Sequence, residues 1–276
     1  MSITKESILA DLENGRLMLP TLPEVALKVR ETIDDDNASI ADIAQIIETD
    51  AALSAQIIQV ANSSIYRGLS SADTVQNAVM RMGLNTIKNL AISLVMKQLF
   101  QATHPVVDRY LRNAWKQSTD VAALSAMIAK HYTTLGADSA LLAGLTHSIG
   151  LSPILVHAES EPELLNDPVQ LKKQLAESAP IVGAEILRKW GFSEALINVP
   201  VQHLILERQG NNGRPDYADV VQVALLQTVS GSNHPLGAVD LDNISSIDRA
   251  GMREAIEEVD MSGGVIELEE IKNAIL

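Results

Sequence analysis

The stretch that decides the fold of this chain reads Leu141-Leu142-Ala143-Gly144-Leu145-Thr146-His147-Ser148-Ile149-Gly150. Small and apolar residues lead into a single histidine, His147, which is followed by Ser148 and an Ile-Gly pair. An imidazole can bind a metal ion, but the neighbouring hydroxyl is neutral at ordinary pH and brings no charge to hold a hard cation. The stretch therefore offers one candidate metal ligand, His147, with no acidic residue beside it.

The composition around this stretch is that of a protein with a sizeable core. The chain has 276 residues with 46% hydrophobic content, enough for one large domain or two modest ones. Its 21 Lys and Arg against 35 Asp and Glu give a net charge of −14, so the surface repels phosphate backbones and anionic lipid. We therefore expect no nucleic-acid partner. The absence of cysteine excludes disulfides, thiolate zinc sites and cysteine nucleophiles.

We also expect no membrane span. The richest apolar candidate, residues 84–100, is interrupted by Asn85, Lys88 and Lys97 and falls short of the roughly 20 apolar residues that cross a bilayer. Residues 1–15 show no charged segment followed by an apolar one, as a leader would have. The sequence predicts a cytoplasmic protein.

Apolar residues recur at helical spacing along the chain, and the aromatic content of 3% is low for a sheet core, so we expect an all-α fold. Thr21-x-x-Glu24 and Ser39-x-x-Asp42 both resemble capping boxes, and Asp50 can cap a further helix. These signals predict several short helices joined by tight turns in the first part of the chain.

Later helices are bounded by glycine and proline. Gly83 suits the left-handed position that ends a helix over residues 74–82, and residues 101–105 are the best candidate for a hinge. Pro180 interrupts one later helical pattern, which we expect in one or two pieces. Beyond the hinge the periodicity predicts helices over residues 107–131, 139–150, 171–191, 193–209, 217–229, 247–259 and 268–276.

Seven motifs in a fixed order resemble those of the HDOD domain, over roughly residues 17–229. They are Leu19-Pro20-Thr21-Leu22-Pro23-Glu24-Val25-Ala26, Thr49-Asp50-Ala51-Ala52-Leu53, Val60-Ala61-Asn62-Ser63, Ala78-Val79-Met80-Arg81-Met82-Gly83-Leu84, Trp115-Lys116-Gln117-Ser118, residues 143–150 and Val182-Gly183-Ala184-Glu185-Ile186-Leu187-Arg188-Lys189-Trp190. The resemblance implies an all-α fold related to HD metal phosphohydrolases and associated with bacterial signalling. It implies an N-terminal helical bundle at 1–101 and an HD-like helical subdomain at 102–230, which leaves a C-terminal helical tail at 231–276.

The resemblance also allows the HD metal ligands to be checked one by one. That superfamily uses a first His, an adjacent His-Asp pair and a distant Asp. The corresponding positions here are Gln117, the pair His147-Ser148, and a position near Leu225. Only His147 keeps its ligand, because an amide is a weak neutral ligand and leucine has no donor atom. The resemblance therefore implies no metal, no cofactor and no catalytic residue.

A different ligand set is the alternative. Asp120 lies one turn after Gln117, and His203 stands where catalytic relatives often carry a further histidine, so both could join His147 at a metal. Against this, no two of the six histidines have the four-residue spacing that places ligands together on a helix.

The same histidines have simpler interpretations. We interpret His147 as a buried or half-buried side chain hydrogen-bonded to a neighbour. His203 and His131 are expected at a helix surface or boundary. His157 and His234 are expected in loops or at helix ends, where they carry no signal.

Three further features favour structural roles. We expect Trp115 and Trp190 to pack between helices rather than to stack on a ligand. Asn62-Ser63 follows an apolar helix and is typical of a helix end whose polar side chains bond local backbone, with partner recognition as the alternative. Residues 34–36 are typical of a solvated turn that ends a helix.

Together these patterns predict a non-catalytic signalling or regulatory module that acts by binding a signalling partner protein or a small ligand. A nucleotide or cyclic dinucleotide is a candidate ligand through family analogy. The candidate binding site is the vestigial HD cleft with Gln117, Asp120, His147, Ser148 and His203. Two alternatives remain open, namely a divergent metal-dependent phosphohydrolase and a nucleotide-binding pseudoenzyme. The pattern does not indicate an oligomeric state.

Overall fold

The computed structural model describes residues 5–35, 37–68, 70–210, 212–253 and 262–275, and these fold into helices with no β-strand among them. The all-α prediction is therefore confirmed. The α-helices are α1 Lys5–Glu13, α2 Glu24–Ile33, α3 Ile40–Glu48, α4 Ala51–Ala61, α5 Val75–Met82, α6 Leu84–Val95, α7 Pro105–Tyr132, α8 Ala137–Thr146, α9 Leu151–Ala158, α10 Pro162–Leu165, α11 Pro168–Lys189, α12 Glu194–Ile197, α13 Val199–Gln202, α14 Tyr217–Val229, α15 Ser245–Arg249 and α16 Ser262–Ile275. Two 3-10 turns, Met96–Leu99 and Leu241–Asn243, complete the set in the described residues.

Two early helices begin at caps that the sequence predicts. The Ser39 hydroxyl accepts a hydrogen bond from the Asp42 N–H at 3.2 Å, and the Asp42 carboxylate accepts one from the Ser39 N–H at 2.8 Å, which confirms the capping box of α3. Asp50 caps α4 in the predicted way. The box predicted at Thr21 is wrong, since α2 starts at Glu24 with no side-chain cap. Glu24 is then the first residue of the helix, not the third, and cannot complete a box.

Asn62 organises the loop between α4 and α5. Its amide nitrogen donates to the Ile58 and Ala72 carbonyls at 3.0 and 2.9 Å, and its oxygen accepts from the Ala72 N–H at 2.8 Å. Arg81 on α5 donates to the same amide oxygen at 3.1 Å. The interpretation of Asn62 as a helix end with local backbone bonds is confirmed, and the side chain also ties the loop to α5.

The long helix α7 is the centre of the second half of the chain. It has 28 residues and packs against α8, α9, α14 and α16. In the first half, α6 packs against α2 and also against α8, so buried apolar side chains form one cluster that runs through both halves. The loop predicted as a hinge, residues 101–105, ends where α7 begins at Pro105.

Two glycines allow the helices around α8 to approach one another closely. A Cβ atom at Gly144 would lie 2.4 Å from the Cα of Ala122 on α7. A Cβ atom at Gly150 would lie 2.0 Å from the carbonyl oxygen of Ala179 on α11. Real Cβ atoms do not come so near to backbone, so both positions require glycine. The stretch 141–150 is therefore held against α7 at Gly144, within α8, and against α11 at Gly150, in the turn before α9.

Two predicted helices differ from the structure. The helix expected over residues 193–209 consists of the short α12 and α13 and ends at Gln202, so residues 203–209 leave the helix and continue as turns. The pattern around Pro180 forms one helix, α11, with the proline inside it. Because proline has no N–H, the Ala176 carbonyl cannot receive the usual helical hydrogen bond four residues on.

The C-terminal tail packs against both halves. Ile244, Ile247 and Ile275 are buried in the core. On α16, Lys272 forms an ion pair of 2.7 Å with Asp120 of α7, and the Glu270 carboxylate accepts a hydrogen bond of 2.8 Å from a backbone N–H that follows α4. The helix predicted over 247–259 is wrong as a single helix, because α15 ends at Arg249 and a turn follows it; residues 254–259 of the prediction lie outside the described residues.

Among the described residues, one stretch, Ala137–Ala158, is long and apolar enough to span a membrane. Naming residues 84–100 as the richest candidate was therefore wrong. In the structure this stretch is α8, a turn and α9, and 78% of its most apolar window is buried inside the protein. Its apolar character is that of core helices.

We predict that Gly144→Ala destabilises the protein by about 3 kcal/mol, because the new methyl group would collide with the α7 backbone and force the helices apart. Urea denaturation followed by circular dichroism measures the change. Gly68→Ala is the control, since its methyl group would lie at an ordinary 3.4 Å from the nearest atom, in the Arg81 side chain. Equal stability of the Gly144→Ala protein and the wild type would contradict the close approach.

Candidate functional site

A cavity of about 160 Å³ lies where helices of the second half meet. Gln117 on α7, His147 and Ser148 directly after α8, His203 after α13 and Leu225 on α14 all line it. The structure thus brings together the positions that the resemblance assigns to HD metal ligands, with His203 beside them. The other lining residues are Leu151, Leu175, Ala176, Ala179, Pro180, Leu204 and His234.

Two buried histidines define the polar part of the cavity. His147 and His203 are 6% and 4% exposed, and their ring centroids lie 5.0 Å apart with one edge facing the other ring. His147 Nδ1 lies 2.6 Å from the Gly144 carbonyl oxygen, and His203 Nδ1 lies 2.8 Å from the Val199 carbonyl oxygen. A carbonyl oxygen can only accept, so Nδ1 carries the proton in both rings. The Nε2 atoms are left as hydrogen-bond acceptors.

These contacts decide two interpretations. His147 is buried and hydrogen-bonded to its own helix, as predicted. His203 lies at a helix boundary, as one of its predicted placements has it, since it is the C-cap of α13, but its imidazole is buried and not at the surface. His131, by contrast, is exposed.

Burial keeps both imidazoles neutral. Desolvation lowers the pKa of His147 to about 4 and that of His203 to about 3. The nearby His234 lowers the pKa of His147 further, and His147 does the same to His203. No Lys, Arg, Asp or Glu lines the cavity among the described residues, so no charge is present there to offset burial of an ion.

The remaining ligand positions do not fit a divalent metal ion. The Ser148 and Ser118 hydroxyls lie 2.8 Å apart and bond to each other. Leu225 presents hydrocarbon and is 3% exposed. Within the part of the chain that the structure describes, no three His, Asp or Glu side chains cluster as a metal site would require. The fold keeps the HD site, but the donor set that would hold the metal is missing.

Asp120 lies outside this cavity. Its carboxylate pairs with Lys272, and it lines an outer cleft of about 280 Å³ together with Lys116. Gln117 and His234 line both the cleft and the cavity, so they stand between the two spaces. Of the five residues predicted for the ligand site, four thus line the cavity and Asp120 lies in front of it.

His234 is a site residue that the sequence interpretation missed. It follows α14 in a stretch of turns, and its Nδ1 accepts a hydrogen bond of 3.1 Å from the Leu236 N–H. In the neutral ring the proton is then on Nε2, which makes His234 a hydrogen-bond donor. A lone histidine in a polar loop carries no pattern that could have indicated this. His157 was also expected in a loop or at a helix end; it lies in the last turn of α9, 3.5 Å from Asp11.

A second set of missed residues holds His203 in place. The Gln222 amide on α14 donates to the carbonyl oxygens of His203 and Ile205, both at 2.9 Å. Its own oxygen accepts a hydrogen bond of 2.6 Å from the Ser246 hydroxyl. The tail and α14 together therefore fix the backbone that carries the second imidazole.

A buried charge network lies beside this contact. The Asp219 carboxylate is fully buried and accepts hydrogen bonds from Arg208 and Arg249. Arg208 also donates to Asp216 at 2.7 Å, and Asp216 and Asp219 form the capping box of α14. The Asp216-x-x-Asp219 spacing could have indicated the cap. The partner Arg249 is 30 residues away, which spacing does not reveal.

Both tryptophans pack as predicted. Trp190 packs edge-on against Phe192, and its indole N–H donates to the Pro20 carbonyl at 3.0 Å. Trp115 packs against Phe100 with ring centroids 5.4 Å apart. These contacts join residues from the two halves of the chain.

We predict that the free energy of unfolding of the wild-type protein decreases more steeply, as pH is lowered, than that of variants lacking the cavity histidines. An unfolded histidine binds a proton near pH 6.5, whereas His147 and His203 stay neutral to about pH 4 and 3. Between these limits the unfolded state binds more protons, so the free energy of unfolding drops by up to about 1.4 kcal/mol per pH unit for each histidine as pH falls. Urea denaturation from pH 7 to 5 measures the slope.

His147→Leu should lose one such contribution from the slope, and the matched control His131→Gln, which changes an exposed histidine, should keep the wild-type slope. Identical slopes in all three proteins would show that the imidazoles are not held neutral.

Comparison with known proteins agrees with this fold. The family model of the HDOD domain matches residues 19–204. A crystal structure from Shewanella amazonensis SB2B, named a "Putative metal-dependent phosphohydrolase", is 29% identical, with 99% of this chain and 98% of that chain covered and a TM-score of 0.85. A "Putative signal transduction protein" from Marinobacter aquaeolei VT8 is 23% identical, with 94% and 60% covered and a TM-score of 0.61, which shows a common fold.

An "Uncharacterized protein" of Treponema pallidum (strain Nichols) is 24% identical over 236 residues, which are 80% of this chain. The chain spans 43% of the length of that relative. The family model covers well over half of the chain. The chain therefore belongs to the HDOD domain family.

Proposed function

We propose that this protein is a non-catalytic regulatory module that acts by binding a signalling partner protein or a small ligand. One observation carries the proposal. The positions of the HD metal ligands meet at one cavity, yet only His147 keeps a ligand atom of the expected kind. A site that keeps its shape without its donors can still bind and report a state, but it cannot hold the metal on which HD hydrolysis depends.

The chemistry of the cavity supports binding over hydrolysis. Metal-dependent phosphate hydrolysis needs a cation to neutralise the developing charge and an activated water molecule. Leu225 and the mutually bonded Ser118 and Ser148 supply no charge. The described lining contains no Lys or Arg that could neutralise a phosphate in place of a metal.

The signalling setting rests on family membership and on analogy with a named relative. The Marinobacter protein is named for signal transduction, but its similarity to this chain shows the fold alone. A partner protein and a nucleotide or cyclic-dinucleotide ligand are accordingly part of the proposal. The small size of the cavity and its lack of charge favour an uncharged group inside it over a phosphate.

A metal-dependent phosphohydrolase is the second candidate, and one observation favours it. Metal-binding histidines donate the second ring N–H to a carbonyl or carboxylate, which orients the free nitrogen. His147 and His203 both donate to backbone carbonyls in this way. The similar Shewanella protein also has a metal-dependent activity in its name. Two imidazoles alone do not complete a catalytic site, so we rank this candidate second.

We predict that protein purified without chelator holds far less than one equivalent of Mn, Fe, Zn or Ni, as measured by elemental analysis. With added Mn(II) we expect no turnover of a generic phosphodiester or a cyclic dinucleotide near the 1 per second that is typical of enzymes at the low end. An equimolar metal that is removed together with an activity would overturn the proposal in favour of the second candidate.

We further predict that Gln117→His, Ser148→Asp and Leu225→Asp combined do not create an efficient hydrolase. A carboxylate at the buried Leu225 position costs about 3 kcal/mol in the absence of a partner or stays protonated. Melting temperatures with and without Mn(II) and the same turnover assay test this. The matched control carries Gln117→His and Ser148→Asp with Leu225→Asn, because an asparagine side chain has the shape of aspartate without its charge. Wild-type stability with turnover of about 1 per second would show that the site is nearly intact.

A further inference from the structure

We propose that the cavity binds an uncharged heterocycle of a single six-membered ring that donates a hydrogen bond to His147 or His203. The inference rests on the proposed binding function and names its ligand class. It stands on the size of the cavity, the direction of its hydrogen bonds and the absence of charge in its wall.

The size of the cavity sets the size of the ligand. Its volume is about 160 Å³. An apolar cavity of about 150 Å³ in another protein holds one benzene molecule, so the space here suits one six-membered ring. Most of the wall is flat hydrocarbon from Leu151, Leu175, Ala179 and Leu225, against which the faces of a planar ring can pack.

The polar groups in the cavity set the chemistry at the edge of the ring. Backbone carbonyls occupy Nδ1 of His147 and His203, and no hydrogen bond is recorded at Nε2 of either ring among the described residues. The two Nε2 atoms are not among the fully buried polar atoms that lack a partner, so both remain accessible at the cavity surface. A ligand must donate a proton to satisfy either one.

The wall formed by α11 contains a carbonyl without its usual helical partner. Ala176 and Pro180 both line the cavity, and the proline removes the N–H that the Ala176 carbonyl would otherwise receive. At the entrance, Gln117 and His234 supply N–H donors, because Nδ1 of His234 already accepts from the backbone. A ligand therefore fits best with a hydrogen-bond donor inside the cavity, and it can place an acceptor near the entrance.

The absence of charged side chains among the described lining residues argues against charged ligands. A carboxylate or phosphate would meet neutral imidazole lone pairs and hydrocarbon, and its burial would be unfavourable without a cation. A ring with an N–H and a C=O, such as a lactam or a nucleobase, matches the described lining residues. Any charged part of a larger ligand would then lie in the outer cleft, where Lys116 and Asp120 are found.

The test uses 2-pyridone, which has one N–H and one C=O, and pyridine, which has the same ring without a donor. The full-length protein labelled with ¹⁵N-histidine is titrated at pH 7.5, and the imidazole nitrogens of His147 and His203 are observed by NMR. We expect 2-pyridone to shift an Nε2 signal and to bind roughly tenfold more tightly than pyridine, the effect of one added hydrogen bond. Benzoate and inorganic phosphate should leave both imidazoles unchanged.

Two variants locate the binding. His203→Leu removes one acceptor and should weaken 2-pyridone binding roughly tenfold. Because this residue is buried and the variant can fail to fold, Ala176→Trp is the second variant. Ala176 is exposed and lines the cavity, so a larger side chain there can occupy its space without a cost to the core. His131→Gln is the control and should bind like the wild type.

Several results would overturn the ligand class. They are equal binding of pyridine and 2-pyridone, imidazole shifts with benzoate or phosphate, and undiminished binding in the Ala176→Trp protein. Such results leave the regulatory function standing if the protein also lacks a metal-dependent turnover. A metal-dependent turnover removes the regulatory function whatever the NMR titration shows, so the two failures are distinguishable.

Discussion

Two close backbone contacts, one between α8 and α7 and one between the turn after α8 and α11, are the constraint on which the rest of this structure depends. Gly144 lies against the backbone of α7 and Gly150 against that of α11, and neither position has room for a Cβ atom. His147 and Ser148 lie between these two glycines, so the contacts determine where both side chains reach the cavity. A side chain at either glycine would move α8 away from Gln117 on one side or from Ala176 and Pro180 on the other.

This constraint explains how the site can keep its shape after losing its ligands. The close approach is geometric and needs no metal, so it holds the helices whichever side chains line the cavity. Leu225 is almost fully buried and makes hydrophobic contacts at the position of a carboxylate. Ser148 satisfies its hydroxyl with Ser118. Each replacement is compatible with a neutral, closely packed site and incompatible with a bound cation.

Local signals explain which parts of the structure could be predicted. The caps at Ser39 and Asp50 depend on residues two or three positions away, so spacing was sufficient to predict them. The burial of His203 depends on Gln222, which holds its carbonyl from 19 residues away, and on the helix ending at Gln202. His234 joins the cavity only through the turns that follow α14. Neither contact leaves a periodic pattern, which is why the burial of His203 was not predicted and His234 was missed. The division at residues 101 and 230 stays a prediction.

The distribution of the cavity residues along the chain limits what family membership can say about function. The family model ends at residue 204, whereas Leu225 and His234 come from the segment beyond it. The same segment supplies Gln222 and Ser246, which fix the backbone of His203. Another chain could therefore match the same model over 19–204 and still have a different cavity wall. The family accounts for the close-packed helices, while the ligand preference must follow from side chains that the family match does not include.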